Sequence, residues 1–316
     1  MNLLLLYLTM CLYTSHDLTL VPLNNFLELA NSIAKYENLG VDMIKTRTNA
    51  PPFLLLAAVH VLLFFLLTLN RRQKQIWTLL FANIGLAYFF EYLVLILLKG
   101  YSYKPNIHKN GALDQFLGAI LSQGFYVPIT ATLLTLYRKN RYWKLSITLI
   151  YYAIERLFLR LKIYKAYWWK PSYTVFFLMV YFSISDWFYR ALIAKKKSVL
   201  VLAQYLTTEV IGLTWIYLSS VGKKVRFWPR RYHSWHEHFV LAPLYSLVCA
   251  VFFVSNSSKK GVLPRLKIFI GLTGMDWILV QAGLLKMGTN KLWNSFFHAG
   301  MIVLSRILYI KIRQKQ

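Results

Sequence analysis

Five acidic residues of this sequence lie within long apolar stretches, where a charged side chain is costly. The chain has only 11 Asp and Glu residues against 37 Lys and Arg residues. A carboxylate at the centre of a bilayer costs about 2.5–3.5 kcal/mol on insertion scales, and acids found there usually face a bundle interior or a water-filled cavity. The candidates for chemistry are therefore these intramembrane polar residues: Glu91, Glu155, Asp186, Glu209, Asp276 and the cationic Arg306.

The residues alone leave three roles open for the acids. The first is structural, through ion pairs or hydrogen bonds with bases and histidines of the same stretches: Arg156, Arg160, Arg190, His298 and Arg306. The second is a path for a solute or ion, and the third is general acid–base catalysis. Because Asp186 and Arg306 occupy equivalent places in an internal repeat described below, we expect these two side chains to pair across the two halves.

Glu91 and Glu209 have no cationic neighbour close in the sequence. Aromatic and aliphatic residues surround the first, and two threonines precede the second. We expect both side chains to face the bundle interior. There, a neutral carboxylic acid can donate a hydrogen bond to a bound solute or exchange a proton with it.

A histidine cluster at positions 233–238 resembles a metal-binding segment. His233 and His236 are one helical turn apart, so both could face one ion. The same segment is rich in aromatic residues, as is typical of a membrane interface, and the further histidine boxes of a membrane di-iron enzyme are absent from the sequence. We predict no bound metal and no cofactor. His233 and His236 are the weak candidates for metal ligands.

Catalytic motifs give little support for an enzyme. The sequence contains no phosphate-binding glycine loop, no GxSxG, no HExxH and no paired Asp-rich motif. Cys11 and Cys249 lie in apolar surroundings without CxxC spacing, as expected of small apolar filler residues. The question of catalysis stays open, with a non-enzymatic role favoured.

Nine apolar stretches predict an all-α, polytopic membrane helix bundle. Hydrophobic residues make up 57% of the chain and charged residues 15%, well below the roughly 25% usual in soluble domains. A helix that crosses the hydrocarbon needs about 20 mainly apolar residues. The predicted spans cover residues 52–69, 76–98, 114–136, 145–164, 173–193, 199–219, 239–255, 265–285 and 293–311.

The net charge of +26 indicates anionic lipid head groups as partners, not nucleic acid, because the basic residues are spread over nearly all interhelical connections. The connections after spans 1, 3, 5 and 7 and the C-terminus are short and basic. The positive-inside rule therefore predicts a protein of the cell membrane with its N-terminus outside and its C-terminus in the cytoplasm. Basic residues between spans 6 and 7 run against this orientation: Lys223, Lys224, Arg226, Arg230 and Arg231.

The chain divides into four predicted segments. Residues 1–51 contain a short apolar stretch, which is an anchor, a signal or an interfacial helix, followed by an amphipathic helix. Residues 52–73 hold the first transmembrane helix. Residues 74–197 and 198–316 are predicted to be two copies of a four-helix unit.

Four markers recur at a nearly constant spacing and predict this tandem repeat. Mid-span glutamates are 118 residues apart, helix prolines 115, acids of the third helix 121 and Phe pairs 120. Because each unit has an even number of spans, the copies would share one orientation and be related by an axis along the membrane normal. Parallel repeats of this kind occur in transporters, with binding sites at the repeat interface.

Residues of about 75–190 resemble an uncharacterised family of small multi-spanning membrane proteins of spore-forming Gram-positive bacteria. The resemblance rests on Tyr101-Ser102-Tyr103-Lys104-Pro105, Asp114, Val127-Pro128 and the aromatic segment from Ile163 to Tyr173. The second half lacks the Tyr-Trp-Trp run of that segment. The resemblance implies an architecture and a type of organism, and no reaction.

Three functions follow as hypotheses. The first is a protein that binds or moves a small solute, ion or lipid through a polar cleft between the two repeats. The second is a membrane-embedded enzyme of lipid or isoprenoid metabolism that uses Glu91, Glu155, Glu209 and Asp276 as acids and bases. The third is a non-catalytic partner in an envelope or spore-membrane complex. Acids gathered in one cavity would favour the first two, and acids in separate pairs the third.

Overall fold

The computed structural model describes residues 49–69, 75–227, 235–288 and 292–313. The predicted N-terminal apolar stretch and amphipathic helix lie almost entirely outside the described residues, as does His233. The fold below therefore concerns the predicted spans and the connections between them.

Nine long helices make up the described part of the chain, and each coincides with a predicted span to within a few residues. The fold is therefore all-α, as expected. In chain order, the helices are α1 (Ala50–Leu69), α2 (Ile76–Glu91), α3 with α4 (Gly111–Ala119 and Val127–Leu136), α5 (Arg141–Arg160), α6 (Pro171–Ile193), α7 (Lys197–Val221), α8 (Trp235–Asn256), α9 (Leu263–Gln281) and α10 (Trp293–Arg313).

Seven of these nine helices are long and apolar enough to cross a membrane, which indicates a membrane protein. The two that fall short are α5 and α9. Both are about as long as the others, with 20 and 19 residues, but charged side chains interrupt their apolar stretches. Helix α5 carries Lys144, Glu155 and Arg156, and α9 carries Lys267 and Asp276.

Two π-helical segments interrupt regular α-helix in the first half. Tyr92–Leu97 extends α2, and Ile120–Tyr126 joins α3 to α4. A π-helical turn widens the helix and is often found at functional sites. The second segment turns Ser122 and Gln123 toward the interior of the first half.

Two short antiparallel sheets, which the sequence analysis missed, lie between the helices. Strand β1 (Tyr101–Tyr103) pairs with β2 (Tyr164–Ala166), so that Tyr103 lies opposite Tyr164. Strand β3 (Val225–Phe227) pairs in the same way with β4 (Leu285–Met287). Strands of three residues are too short to show an alternating pattern in the sequence.

Helices α2 and α7 form the most extensive helix–helix contact of the described chain, and they join its two halves. Gly85 permits the close approach, because a Cβ at that position would lie 2.9 Å from the Cβ of Leu206. Small residues serve this purpose in membrane helices, where close packing drives association.

Candidate functional site

A cavity of about 370 Å³ lies inside the first half, enclosed by α1, α2, β1, the π-helical segment before α4, α5, β2 and α6. We call it the first-half cavity. Its polar lining comprises one acid, one amide and several hydroxyl groups: Tyr101, Tyr103, Ser122, Gln123, Tyr151, Glu155, Tyr164, Thr174 and Tyr181. The rest of the lining is aromatic and aliphatic, so a polar end and an apolar body are combined in one space.

Glu155 is the acid of the first-half cavity, and its carboxylate is not paired. Both of its oxygens are shielded from solvent and have no hydrogen-bond partner among the described residues. The hydroxyls of Thr174 and Tyr164 lie near the carboxylate without reaching hydrogen-bonding geometry. Thr174 already accepts a hydrogen bond of 2.9 Å from the indole of Trp169, which leaves its own proton free to donate.

Glu91 lies behind Tyr101, one of the residues that line this cavity. The Tyr101 hydroxyl donates a hydrogen bond of 2.5 Å to Glu91 Oε2, while Glu91 Oε1 has no partner within the described chain. Burial and then the charge of Glu91 raise the pKa of the Tyr101 hydroxyl well above its ordinary value. Tyr101 therefore keeps its proton and acts as a donor to the acid.

Three tyrosines of the β1–β2 sheet connect the two acids. Tyr103 lies within electrostatic range of both Glu91 and Glu155, and Tyr164 is packed between Tyr103 and Glu155. The structure thus gathers two of the five predicted acids, Glu91 and Glu155, into one cluster with tyrosine donors. The sequence analysis quoted Tyr101, Tyr103 and Tyr164 only as part of a family resemblance, and their pairing across a sheet could not be read from the chain.

The apolar side of the first-half cavity reaches the lipid-facing surface between α2 and α6. Residues that line the cavity there are also exposed on the outside of the bundle: Phe89, Leu93, Phe177, Val180 and Ile184. These two helices contact each other only sparsely. We call this gap the α2–α6 portal.

Asp186 does not pair with Arg306, so that expectation was wrong. Its carboxylate accepts hydrogen bonds from Lys144 on α5 and from the Thr135 hydroxyl at 2.8 Å. Arg306 instead donates to the backbone carbonyls of Ser257 and Ser258 at 2.8 and 3.1 Å. The side chains lie in different halves and satisfy their charges locally, without crossing the interface.

Asp276 is buried in a hydrogen-bond network inside the second half. Its carboxylate accepts hydrogen bonds from the Tyr245 hydroxyl at 2.6 Å, from His298 Nε2 at 2.8 Å and from the Asn294 amide at 3.0 Å. Asp276 and His298 are almost fully buried. This acid has the structural pairing that Glu155 lacks.

Glu209 lies apart from the other acids, between the two halves. It lines a cavity of about 140 Å³, while Glu91 also lines a neighbouring cavity of about 210 Å³ between α2, α3, α7 and α8. Two small spaces with mainly apolar walls therefore lie between the two halves.

The described histidines do not form a metal site. His236 is exposed, and no group of three or more His, Cys, Asp or Glu side chains within the described ranges could hold an ion. His238 is buried, where Nδ1 accepts from the Phe227 N–H at 3.0 Å and Nε2 lies 2.8 Å from the Ser220 hydroxyl. This histidine therefore anchors strand β3 to α7 and α8.

Asp114 has a similar structural role near β1. Its carboxylate accepts hydrogen bonds of 2.8–2.9 Å from the backbone N–H groups of Asn106, Ile107 and His108. These bonds hold the loop that leads from the strand into α3.

Neither a family model, nor a curated protein, nor a solved structure matches this chain. The resemblance of residues 75–190 to the membrane proteins of spore-forming bacteria therefore stays a prediction.

Proposed function

We propose that this protein binds, and moves or presents, an amphiphile in the first-half cavity. The observation that carries the proposal is the unpaired carboxylate of Glu155 at the polar end of a cavity that opens to lipid. A volume of about 370 Å³ is within the range of roughly 300–1,000 Å³ typical of ligand pockets. A buried polar group without a partner is costly, so a ligand that completes its hydrogen bonds gains that free energy.

The lining favours a head group that carries hydroxyl or amine donors. Among the described residues that line the cavity there is no Lys, Arg or His, whereas Glu155 and several tyrosines are present. A phosphate in the cavity would meet the Glu155 carboxylate with no cation in the described lining to compensate, and like charges at close range repel. The α2–α6 portal gives the apolar chain of the ligand a direct route from the bilayer.

A catalytic role is the second candidate, because Glu91 and Glu155 share one cluster. Two carboxyl groups in different surroundings are a recurrent arrangement for general acid and general base. Glu91 is hydrogen-bonded to Tyr101 and Glu155 is not, so the two acids differ in the way that such a pair requires. Turnover of the bound amphiphile would distinguish this function from binding alone.

We further propose that the two halves are tandem copies of one unit. Both have the order helix, strand, helix, helix, strand, helix. Buried polar residues recur at a spacing of 120 or 121. Asn83 and Gln204 each donate to two hydroxyl or carbonyl groups elsewhere in their half, at Ser185 and Ser305 among others. Gly85 and Leu206, also 121 apart, touch each other, as equivalent residues do only near a two-fold axis.

The spacing of 121 modifies one of the predicted markers. It makes Gly212 the counterpart of Glu91 and Tyr88 the counterpart of Glu209. The two glutamates would then lie about one helical turn apart in depth and face different surroundings. Glu155 and Asp276 remain equivalent, so the copies would differ in how they use the same acid.

The proposed topology places the chain in the cell membrane, with the basic connections after α1, α4, α6 and α8 and the C-terminus in the cytoplasm. Both sheets would then lie near the opposite surface. The polar end of the first-half cavity would accordingly receive its ligand from the outer leaflet.

The head-group preference is tested with two single-chain probes of equal length, 1-dodecylglycerol and dodecyl phosphate, added to the purified protein in detergent. We expect native mass spectrometry to detect one bound dodecylglycerol per chain. Dodecyl phosphate should bind at least about tenfold more weakly, because a charge repulsion large enough to shift a pKa by one unit changes a binding constant about tenfold. Equal binding of the two probes, or tighter binding of the phosphate, would contradict the proposal.

Blocking the α2–α6 portal tests the route into the cavity. We expect Val180→Trp to reduce dodecylglycerol binding at least about tenfold, because the indole fills the gap through which the chain enters. Val251→Trp is the matched control, since Val251 is also exposed on the lipid-facing surface but lies on α8, away from the cavity. If both variants bind as the wild type does, the portal is not the route, and a scaffold role gains support.

A further inference from the structure

We propose that a second site, formed between the two halves at Glu209, binds a small alkylammonium ion. The site does not depend on the first-half cavity or on its proposed ligand. It is the cavity of about 140 Å³ lined by residues of α2, α7 and α8: Gly85, Tyr88, Phe89, Tyr92, Tyr205, Leu206, Glu209, Leu213, Pro243 and Leu247. We call it the inter-half cavity.

Glu209 is the charged group of this cavity, and its carboxylate has no partner among the described residues. The residue is 5% exposed. The described residues supply no hydrogen bond or ion pair to its side chain, and the Ser246 hydroxyl binds the backbone carbonyl of Glu209 at 3.4 Å instead. A buried carboxylate without a partner is costly, so its surroundings fit either a neutral acid or a bound cation.

Aromatic rings form part of the wall around Glu209. Tyr88, Phe89, Tyr92 and Tyr205 line the inter-half cavity together with the acid. An ammonium group is attracted to the π-faces of such rings, and an aromatic cage with one carboxylate is a recurrent way to recognise it. The lining described here includes no Lys, Arg or His that could neutralise Glu209 from within the protein.

The hydroxyl groups of these tyrosines are poor metal ligands in this arrangement. Tyr92 donates to the carbonyl of Val240 at 3.1 Å, and Tyr205 is directed to the carbonyl of Leu247 at 3.4 Å. A hard metal ion prefers about six or more oxygen ligands. One carboxylate and a few tyrosine hydroxyls, two of them already bonded to carbonyls, do not provide that many ligands, whereas the acid and the rings suit a methylated ammonium.

The size of the inter-half cavity agrees with a small organic cation. At about 30 Å³ for each water-sized group, a volume of 140 Å³ holds roughly four or five non-hydrogen atoms. Tetramethylammonium has five. The cavity adjoins the contact of α2 with α7 at Gly85, so a bound ion would touch both halves of the molecule.

The probe for this site is tetramethylammonium chloride, tested on the purified full-length protein by thermal unfolding against sodium chloride at equal ionic strength. A ligand that binds only the folded state raises the midpoint of unfolding. We expect a rise of about 2–4 °C with tetramethylammonium and none with sodium. Glu209→Gln should abolish the rise, because the amide keeps the shape of the acid but not its charge.

A cavity-filling variant keeps the test decisive if Glu209→Gln does not fold. Leu247→Trp should also abolish the rise by occupying the space of the ligand. Val248→Trp is its control, because Val248 is adjacent in sequence, exposed to lipid and outside the cavity lining. An equal rise with sodium chloride, or a rise that persists in Glu209→Gln or in Leu247→Trp, would overturn the proposal.

Discussion

Replacing Asp186 with alanine is expected to lower the free energy of unfolding by about 2–3 kcal/mol, one of the largest single-residue effects in this chain. The substitution leaves the ammonium of Lys144 without a partner, and the side chain of Lys144 is only 8% exposed. Removing one member of a buried ion pair typically costs about 3–5 kcal/mol. Because the Asp186 side chain is 29% exposed, water can reach part of the site, and we expect a smaller loss.

The hydroxyl groups around Asp186 add to this loss. Thr135 donates to Asp186 Oδ1 at 2.8 Å and lies 2.9 Å from the hydroxyl of Ser185. Asn83 donates to the same Ser185 at 3.0 Å. The acid is therefore one end of a polar network that connects α2, α4, α5 and α6, and its removal should loosen all four helices.

The measurement is reversible unfolding of the purified protein in mixed micelles, followed by circular dichroism. The double variant Lys144→Met with Asp186→Leu should recover most of the lost stability, because it removes both charges together. Arg306→Ala is a useful comparison, since Arg306 binds two backbone carbonyls in the other half. If Arg306→Ala and Asp186→Ala were non-additive, the two side chains would be coupled and the pairing with Lys144 would be wrong.

The mistaken pairing shows what an internal repeat predicts and what it does not. Asp186 and Arg306 have equivalent places in the chain, which suggested equivalent depths and a contact between them. A shared depth does not bring two side chains together when their helices lie on different sides of the bundle. Lys144 was the better partner, but its position at the start of α5 made it look like one more cation of a basic connection.

The helices were predictable because their signal is strong and local. Long apolar runs are required wherever a chain crosses hydrocarbon, and only helices and closed barrels satisfy the backbone there. Helices α5 and α9 mark the limit of that signal, since charged residues interrupt their apolar stretches. The π-helical segments and the three-residue strands carry no comparable pattern in the sequence.

The candidate site was predictable only in part. The free-energy cost of placing a carboxylate in the bilayer was enough to single out Glu91 and Glu155, and the structure brings them into one cluster. Their connection runs through Tyr101, Tyr103 and Tyr164, which meet because β1 pairs with β2 across some sixty residues of chain. Long-range pairing of that kind depends on the whole packing of the first half and leaves no mark at the positions themselves.

Glu155 and Asp276, which the proposed repeat makes equivalent, should respond differently to the same substitution, and this contrast separates a binding role from a structural one. Asp276→Ala removes the acceptor of three hydrogen bonds, from Tyr245, Asn294 and His298. Side-chain hydrogen bonds in membrane proteins average about 0.6 kcal/mol and reach about 1.7 kcal/mol. We therefore expect Asp276→Ala to lower the free energy of unfolding by about 2 kcal/mol.

Glu155→Ala should not lower the free energy of unfolding, because its two oxygens bind none of the described residues. Glu155→Ala should, however, reduce dodecylglycerol binding at least about tenfold. Asp276→Ala lies in the other half, so the folded fraction of that variant should bind dodecylglycerol as the wild type does. Unfolding curves of the two variants give the free energy of unfolding, and native mass spectra give the binding of dodecylglycerol. If Glu155→Ala costs as much stability as Asp276→Ala and leaves binding unchanged, then Glu155 is a structural residue. In that case the amphiphile site would have to be abandoned, because the unpaired acid is what defines its polar end.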